Sequence, residues 1–175
     1  MAVDFLKIKA FAFDVDGVMT NGGILCTKDG DLYRTFDAKD GFAVRMAVMN
    51  GYPVGVITGG RSVSIRKRFT GCGIPEGDIF LGSTDKIEDL RKFCDAHGLT
   101  PDEVMFFGDD IPDLEVILNC GIGACPSDAV PEVKAAADWI SSRPGGRGVI
   151  REGFEAVMKA RGDWDFDVST YKKLF

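Results

Sequence analysis

The stretch AFAFDVDG, residues 10–17, sets the pattern for the whole chain, because a short apolar run passes directly into acidic residues. Such a run is typical of a buried β-strand, and the residues that follow it lie at the edge of a sheet. Asp14 and Asp16 stand two positions apart, so in extended chain both side chains lie on the same face. We therefore predict a strand that delivers two carboxylates to a functional site.

Further apolar runs alternate with helical patterns along the chain. Strands are predicted at Pro53–Thr58, Ile79–Leu81, Val104–Phe107, Ile122–Cys125 and Asp138–Ile140, and helices at Asp40–Gly51 (with Asp40 as the N-cap), Arg61–Thr70, Asp85–His97, Asp113–Asn119, Pro131–Ala137 and Val149–Arg161. This alternation predicts an α/β fold, with a mostly parallel sheet and helices on both faces. Residues 22–36 differ, because two short segments flank the turn Lys28–Asp31, and there we predict a β-hairpin flap.

The composition fits one soluble globular domain spanning residues 1–175. Hydrophobic residues make up 45% and charged residues 27% of the chain, as in ordinary globular proteins. The formal net charge of -6 argues against nucleic acid or an anionic membrane as the main partner. It does not exclude an anionic substrate, since a metal or a local cluster of cations can reverse the field in a pocket. No long apolar run indicates a signal peptide or a membrane span.

Cysteine and histidine usage excludes several kinds of site. His97 is the only histidine, and one histidine by itself builds neither a His-rich zinc site nor a Ser-His-Asp triad. The cysteines are odd in number and lack C-x-x-C spacing, which indicates reduced thiols in a cytoplasmic protein. These are Cys26, Cys72, Cys94, Cys120 and Cys125. Acid–base chemistry therefore falls to carboxylates.

Polar groups follow several of the predicted strands. They are Asp14 with Asp16, Thr58-Gly59, Lys86, and Gly108-Asp109-Asp110 with Asp113. Ligands bind at the carboxyl ends of parallel strands, so we expect these groups to converge. Each has a simpler interpretation alone, since D-x-D-G and Thr-Gly often form turns and Gly-Asp-Asp often caps a helix.

The combined set fits phosphoryl transfer. Crowded carboxylates repel one another, and a magnesium ion bound by Asp14 and Asp109 relieves that cost. One carboxylate of the Asp14 and Asp16 pair can attack phosphorus while the other handles a proton. Lys86 can neutralise phosphoryl oxygens, and the hydroxyl of Thr58 with nearby N–H groups can hold a phosphate.

These motifs resemble those of the haloacid dehalogenase superfamily of phosphatases over nearly the whole chain. The resemblance rests on Phe13-Asp14-Val15-Asp16-Gly17-Val18, Val56-Ile57-Thr58-Gly59, Lys86 and Gly108-Asp109-Asp110-x-x-Asp113. It implies a three-layer Rossmann-like fold and an aspartyl-phosphate mechanism with Asp14 as the nucleophile. Asp16 is then the proton carrier, and Thr58 and Lys86 bind the phosphoryl group. Asp14, the backbone carbonyl of Asp16, and Asp109 hold Mg²⁺, with Asp110 and Asp113 as supporting residues.

The chain has no room for the cap domain found in many superfamily members. It resembles the capless 3-deoxy-D-manno-octulosonate 8-phosphate (KDO 8-phosphate) phosphatases, on the hairpin, Lys39-Asp40-Gly41 and Gly145-Gly146-Arg147-Gly148. That subfamily implies a phosphoric monoester hydrolase of lipopolysaccharide biosynthesis. It also implies a homotetramer in which a neighbouring subunit covers each site. The tail at residues 163–175 has no match in the family pattern.

The resemblance also suggests substrate contacts. Gly59 and Arg61 would face the substrate, and Arg147 would contact an anionic sugar acid in its own or a neighbouring subunit. Solvent exposure of Arg61 and a flexible loop at residues 145–148 are the alternatives. Two other functions remain open. One is hydrolysis of nine-carbon sugar-acid 9-phosphates, which the glycine at position 60 disfavours. The other is a non-catalytic role in assembly with a cytidylyltransferase, which the retention of Asp14 and Asp16 disfavours.

Overall fold

The computed structural model describes residues 3–165 and centres on a parallel sheet. Its six strands are β1 (Ala10–Phe13), β4 (Val54–Thr58), β5 (Ile79–Leu81), β6 (Val104–Phe107), β7 (Ile122–Cys125) and β8 (Trp139–Ile140). They lie in the order β5-β4-β1-β6-β7-β8, and every neighbouring pair is parallel. The predicted α/β fold is confirmed, and β1 with its acidic end occupies the middle of the sheet.

Helices cover both faces of this sheet. They are α1 (Ala38–Met49), α2 (Val63–Thr70), α3 (Lys86–His97), α4 (Leu114–Asn119), α5 (Pro131–Ala136) and α6 (Val149–Arg161). One face packs against α1, α2 and α6, and the other packs against α3, α4 and α5. Within residues 3–165 no helix is long and apolar enough to cross a membrane.

The period of two in β1 explains why both faces are covered. Phe11 and Phe13 enter the core beneath α1 and α6, whereas Ala10 and Ala12 enter the core beneath α3. The ring of Phe11 stacks on that of Phe154 at 3.8 Å between centroids. Since both faces of the strand are buried, its sequence is continuously apolar, as parallel strands require.

The predicted hairpin is present between β1 and α1. Strands β2 (Leu25–Cys26) and β3 (Leu32–Tyr33) pair antiparallel in a small separate sheet. Its apolar side chains remain solvent-exposed, with Leu25 at 66% and Tyr33 at 56%. The hairpin fills the segment between β1 and α1, and no cap domain lies within the described residues. The part of the tail at residues 166–175 lies outside them.

Two predicted helix starts are wrong. Asp37 is the N-cap of α1, with its side chain accepting a hydrogen bond from the N–H of Lys39. Asp40 lies inside the first turn of α1, fully buried, and accepts hydrogen bonds from Gly148 N–H at 3.0 Å and Arg151 N–H at 2.8 Å. Its carboxylate therefore caps α6 rather than α1.

Helix α2 begins at Val63 after the N-cap Ser62, which leaves Arg61 in the preceding loop.

Candidate active site

The carboxyl ends of β1, β4 and β6 open into one cavity of about 440 Å³. It is lined by residues from the predicted strand-end groups and from adjoining loops: Asp14, Asp16, Gly22, Thr58, Gly59, Gly60, Ser83, Lys86, Asp109, Asp110, Pro112 and Asp113. The structure thus brings the predicted catalytic and metal-binding residues together. The parallel register produces this convergence, because each strand ends at the same edge.

Asp14 lies at the bottom of this cavity and is 8% exposed. Its Oδ1 accepts a hydrogen bond of 2.7 Å from the N–H of Val15, and its Oδ2 lies 3.0 Å from Nζ of Lys86. Burial, together with the charge of Asp113, raises the pKa of Asp14 to about 6 even though Lys86 opposes the shift. The carboxylate is therefore held in place but remains short of compensating positive charge.

Lys86 begins α3 and connects two carboxylates. Its Nζ lies 2.6 Å from Oδ1 of Asp113 and 3.0 Å from Oδ2 of Asp14. Burial opposes the charge on Lys86, yet the two carboxylates outweigh it and raise the pKa of the ammonium. Lys86 is therefore a fixed cation at the edge of the cavity that an arriving phosphoryl group can contact.

Asp113 organises the loop that follows β6. Its fully buried side chain accepts hydrogen bonds through Oδ2 from the N–H groups of Asp109 at 3.0 Å and Asp110 at 3.3 Å. Its other oxygen is engaged by Lys86. Asp113 therefore fixes the backbone that carries Asp109 while it orients Lys86, which is the supporting role implied by the resemblance. Asp110 is exposed and caps the following turn by accepting from the N–H of Ile111.

Asp109 presents an oxygen that the protein leaves unsatisfied. Its Oδ1 is buried and has no hydrogen-bond partner within residues 3–165. Burial and the charges of Asp14, Asp113 and Asp110 raise its pKa to about 7. Carboxylate oxygens of Asp14, Asp109 and Asp113 lie within 4.8 Å of one another. Since Asp113 is already committed to Lys86 and to backbone N–H groups, Asp14 and Asp109 are the pair available to a hard divalent cation such as Mg²⁺.

Gly17 allows the loop after β1 to close on Asp109. Its φ of 90° lies in the left-handed region, which favours glycine. A Cβ at this position would overlap the carboxylate of Asp109. The D-x-D-G motif therefore has a steric reason, because only glycine lets the backbone near Asp16 approach the second acidic loop.

Asp16 is held by a residue that the sequence analysis missed. Arg34, just after β3, donates from Nε to Oδ1 of Asp16 at 2.7 Å and from Nη2 to Oδ2 at 2.8 Å. The guanidinium side chain is only 2% exposed. A single arginine at the end of a hairpin strand gives no local pattern that distinguishes it from a surface residue, so this contact depends on where the hairpin packs.

Thr58 ends β4 and is 1% exposed. Its Oγ1 accepts a hydrogen bond of 3.1 Å from the N–H of Gly60, and its backbone carbonyl accepts from the N–H of Ser83. With the oxygen engaged as an acceptor, the hydroxyl proton is available for a ligand. Gly59 lines the same cavity, so this turn can present donors to an anionic group.

The glycine-rich segment at residues 145–148 packs against the loop after β1, which begins at Asp14 in the same chain. The N–H of Gly146 donates to the carbonyl of Val18 at 2.9 Å. A Cβ at Gly145 would overlap the carbonyl oxygen of Gly17. Both glycines are buried, so the segment is part of the packed structure of this chain. It therefore supports the loop after β1, which carries Asp14 and Asp16.

The two predicted substrate-contacting arginines lie outside the cavity. Arg61 packs beside Gly82, and its side chain would contact a Cβ placed there. Arg147 is exposed and lines a different cavity of about 420 Å³ with Lys39, Arg143 and Arg151. In the part of the chain that the structure describes, neither arginine lines the cavity around Asp14, and their contact with a substrate stays a prediction.

Comparison with known proteins identifies the family. Residues 65–152 match the family of haloacid dehalogenase-like hydrolases. A KDO 8-phosphate phosphatase of Haemophilus influenzae is 32% identical over 156 residues, covering 89% of this chain and 86% of that protein. This chain is a haloacid dehalogenase-like hydrolase. The region matched by the family model includes Lys86 and Asp109. The alignment with the Haemophilus influenzae protein extends over most of the chain.

Solved structures similar to this hydrolase share its fold. A KDO 8-phosphate phosphatase from Moraxella catarrhalis, solved with a magnesium ion, a phosphate ion and a KDO molecule, is 29% identical. Its TM-score is 0.89, with 95% of each chain covered. The cobalt-bound form of the Haemophilus influenzae enzyme is 31% identical, with a TM-score of 0.86 and coverage of 91% of this chain and 92% of that chain. The predicted Rossmann-like fold of this hydrolase is therefore confirmed.

Proposed function

We propose that this hydrolase is a magnesium-dependent phosphatase that converts KDO 8-phosphate to the free sugar acid and phosphate. The observation that carries the proposal is the pair of buried Asp14 and partly buried Asp109 beside Lys86, in which one buried oxygen of Asp109 lacks a hydrogen-bond partner among residues 3–165. Two such carboxylates next to a fixed cation suit a metal and a phosphoryl group together. The relative from Moraxella catarrhalis, bound to magnesium, phosphate and KDO, supports the choice of ligands.

Asp14, the backbone carbonyl of Asp16 and Asp109 are the residues that would hold Mg²⁺. The free oxygen of Asp109 and the raised pKa values of Asp14 and Asp109 indicate a site that a bound cation would stabilise. When bound, the ion neutralises negative charge on the phosphoryl oxygens and on the surrounding carboxylates. The protein contributes the arrangement of the ligands, which Asp113 maintains through its backbone hydrogen bonds.

In the first step Asp14 attacks phosphorus, and the bond from phosphorus to the ester oxygen breaks. Asp16 gives its proton to that oxygen, so the sugar acid leaves as an alcohol and Asp14 carries the phosphoryl group as an acyl phosphate. Lys86 and the hydroxyl of Thr58 contact the phosphoryl oxygens and stabilise the charge that develops on them. Burial of all these groups except Asp16 strengthens each of these contacts.

In the second step the carboxylate of Asp16 takes a proton from water, and the water oxygen attacks phosphorus. The bond from phosphorus to Asp14 breaks, which releases phosphate and restores the carboxylate of Asp14. Asp16 therefore works first as an acid and then as a base, regaining in the second step the proton that it gave in the first. No histidine is required in this sequence of steps.

Substrate contacts beyond the phosphoryl group come in this proposal from a homotetramer. Gly59 lines the cavity directly, whereas Arg61 and Arg147 lie outside it. Arg147 would then reach a sugar acid in a neighbouring subunit. The exposed apolar side chains of the hairpin, which include Leu25 and Tyr33, support burial of this surface between subunits.

The test is phosphate release in the presence of Mg²⁺, comparing KDO 8-phosphate with a nine-carbon sugar-acid 9-phosphate. We expect a strong preference for the eight-carbon ester and no turnover by Asp14→Asn, in which the nucleophile is lost but the shape is kept. Such a preference would support a place in lipopolysaccharide biosynthesis. A preference for the nine-carbon ester would overturn the substrate but keep the mechanism. Full activity of Asp14→Asn would overturn the mechanism.

A further inference from the structure

The hairpin supplies one buried cation to Asp16, a residue that lines the cavity around Asp14. Arg34 follows β3, and its guanidinium forms two parallel hydrogen bonds to the carboxylate of Asp16, at 2.7 Å and 2.8 Å. This fork-to-fork geometry is the strongest and most directional contact that an arginine makes with a carboxylate. It fixes the plane of the carboxylate as well as its position.

The surroundings of Arg34 restrict it to this contact. Its side chain is 2% exposed, and the remaining nitrogen Nη1 is buried without a hydrogen-bond partner among the described residues. A Cβ at Gly60 would lie 3.4 Å from Nη2, so the guanidinium also packs against the turn after Thr58. A buried charge with an unsatisfied nitrogen costs stability, which argues that the contact to Asp16 is retained for a reason other than folding.

We propose that Arg34 is a positioning residue that orients the carboxylate of Asp16 for proton transfer, a role that rests on the function proposed above. Each carboxylate oxygen has two lone pairs, and the guanidinium occupies one on each. The other lone pairs stay available to exchange a proton with the leaving oxygen and then with water.

The role of Arg34 makes the hairpin a part of the catalytic apparatus. The two strands of the hairpin belong to a separate sheet, and the ion pair between Arg34 and Asp16 joins that sheet to the loop after β1. Any change in the position of the hairpin is therefore transmitted to the proton carrier. Lys86 at the start of α3 and Asp14 directly after β1 are held by other contacts, with Asp113 and with the N–H of Val15 respectively.

The experiment uses two esters that differ in their need for a proton. The leaving group of an alkyl ester such as the sugar-acid phosphate must be protonated, whereas p-nitrophenolate leaves without a proton. Release of the alcohol or phenol is measured by rapid quench in the first turnover, with Mg²⁺, for wild type, Arg34→Met and Arg34→Lys. Lys28→Met, an exposed cation in the hairpin turn, is the matched control for loss of charge.

We expect Arg34→Met to slow the first turnover of the alkyl ester roughly 10- to 100-fold, a part of the ~10²–10⁴ that acid catalysis contributes. The first turnover of the nitrophenyl ester should change by less than about threefold, because that step needs no proton. Arg34→Lys should show an intermediate loss with the alkyl ester alone, since lysine keeps the charge but not the fork. It also serves as the test if the methionine variant does not fold. Lys28→Met should match wild type.

Equal slowing of both esters would overturn the proposal, because a purely structural defect affects both. Unchanged or faster turnover of the alkyl ester in the Arg34 variants would also overturn it. Failure of the wild-type enzyme on both esters is a different outcome, which refutes the proposed phosphatase function and the role of Arg34 with it.

Discussion

Replacing Asp113 by asparagine removes one charge from the centre of the catalytic cavity while keeping the shape of the side chain. In the native protein one oxygen of Asp113 accepts from Lys86 at 2.6 Å. The other accepts from the N–H groups of Asp109 and Asp110. An amide has only one accepting oxygen, so in either orientation its NH₂ group faces donors. We therefore expect Asp113→Asn to lose stability and to loosen Asp109.

The size of the effect follows from the burial of the pair. Breaking a buried ion pair by removing one partner costs about 3–5 kcal/mol. Lys86 keeps Asp14 at 3.0 Å, and loss of the Asp113 charge relieves its repulsion of Asp14, so we expect the lower end, about 3 kcal/mol. For a chain of this size 1 kcal/mol shifts the melting temperature by about 2–4 °C, so the midpoint should fall by about 6–12 °C.

The assay is reversible urea unfolding together with thermal melting, both without added metal. Asp110→Asn is the matched control, since it makes the same chemical change at an exposed position three residues away. Asn caps a turn as well as Asp, so this control should stay within about 0.5 kcal/mol of wild type. If Asp113→Asn also lies within about 1 kcal/mol of wild type, Asp113 does not anchor the cavity.

Three further predictions concern the proton carrier, the metal and the supporting segment. Asp16→Asn should lower turnover by ~10²–10⁴ while leaving calorimetric Mg²⁺ affinity largely intact, because only its carbonyl would bind the ion; near-normal turnover would remove it from the mechanism. Asp109, with its pKa raised to about 7, keeps its proton longer in the folded apo-protein than in the unfolded chain, so its contribution to stability falls as pH rises from about 4 to 7. Mg²⁺ must displace that proton, so scanning fluorimetry should show a larger rise in melting temperature on adding Mg²⁺ at about pH 8 than at about pH 5.5, and equal rises would contradict this. Gly145→Ala should push on Gly17, cost about 1–3 kcal/mol and weaken Mg²⁺ binding by calorimetry, whereas Gly77→Ala, which has open space around it, should not.

The strands could be predicted well because each is a short apolar run bounded by turn residues. The predicted bounds of β5, β6, β7 and α6 agree with the structure. The N-cap of α1 could not be predicted, because Asp37 and Asp40 have the same local preference for that position. What separates them is the contact of Asp40 with the first turn of α6, more than a hundred residues away in sequence. A tertiary contact of this kind leaves no local signal.

The residues around the cavity also divide into those with a local sequence signal and those placed by tertiary contacts. Asp14, Thr58, Lys86 and Asp109 were accessible from sequence, because the ends of parallel strands meet at one edge. Arg34 was not, since its role depends on how the hairpin packs over the sheet. Contact of Arg147 with a sugar acid, in its own or a neighbouring subunit, stays a prediction, since Gly145 and Gly146 pack within their own chain whereas Arg147 is exposed.

The contact between Gly145 and the Asp14 loop has a consequence for the order of events during protein synthesis. Asp14 leaves the ribosome well before Gly145, which supports the loop that carries it. At about 5–20 residues per second, the delay between them is on the order of ten seconds. A nascent or prematurely terminated chain that ends before Gly145 would carry every side chain proposed to act in catalysis and still lack the support of the loop after β1. Such incomplete chains are therefore expected to bind Mg²⁺ more weakly than the finished protein.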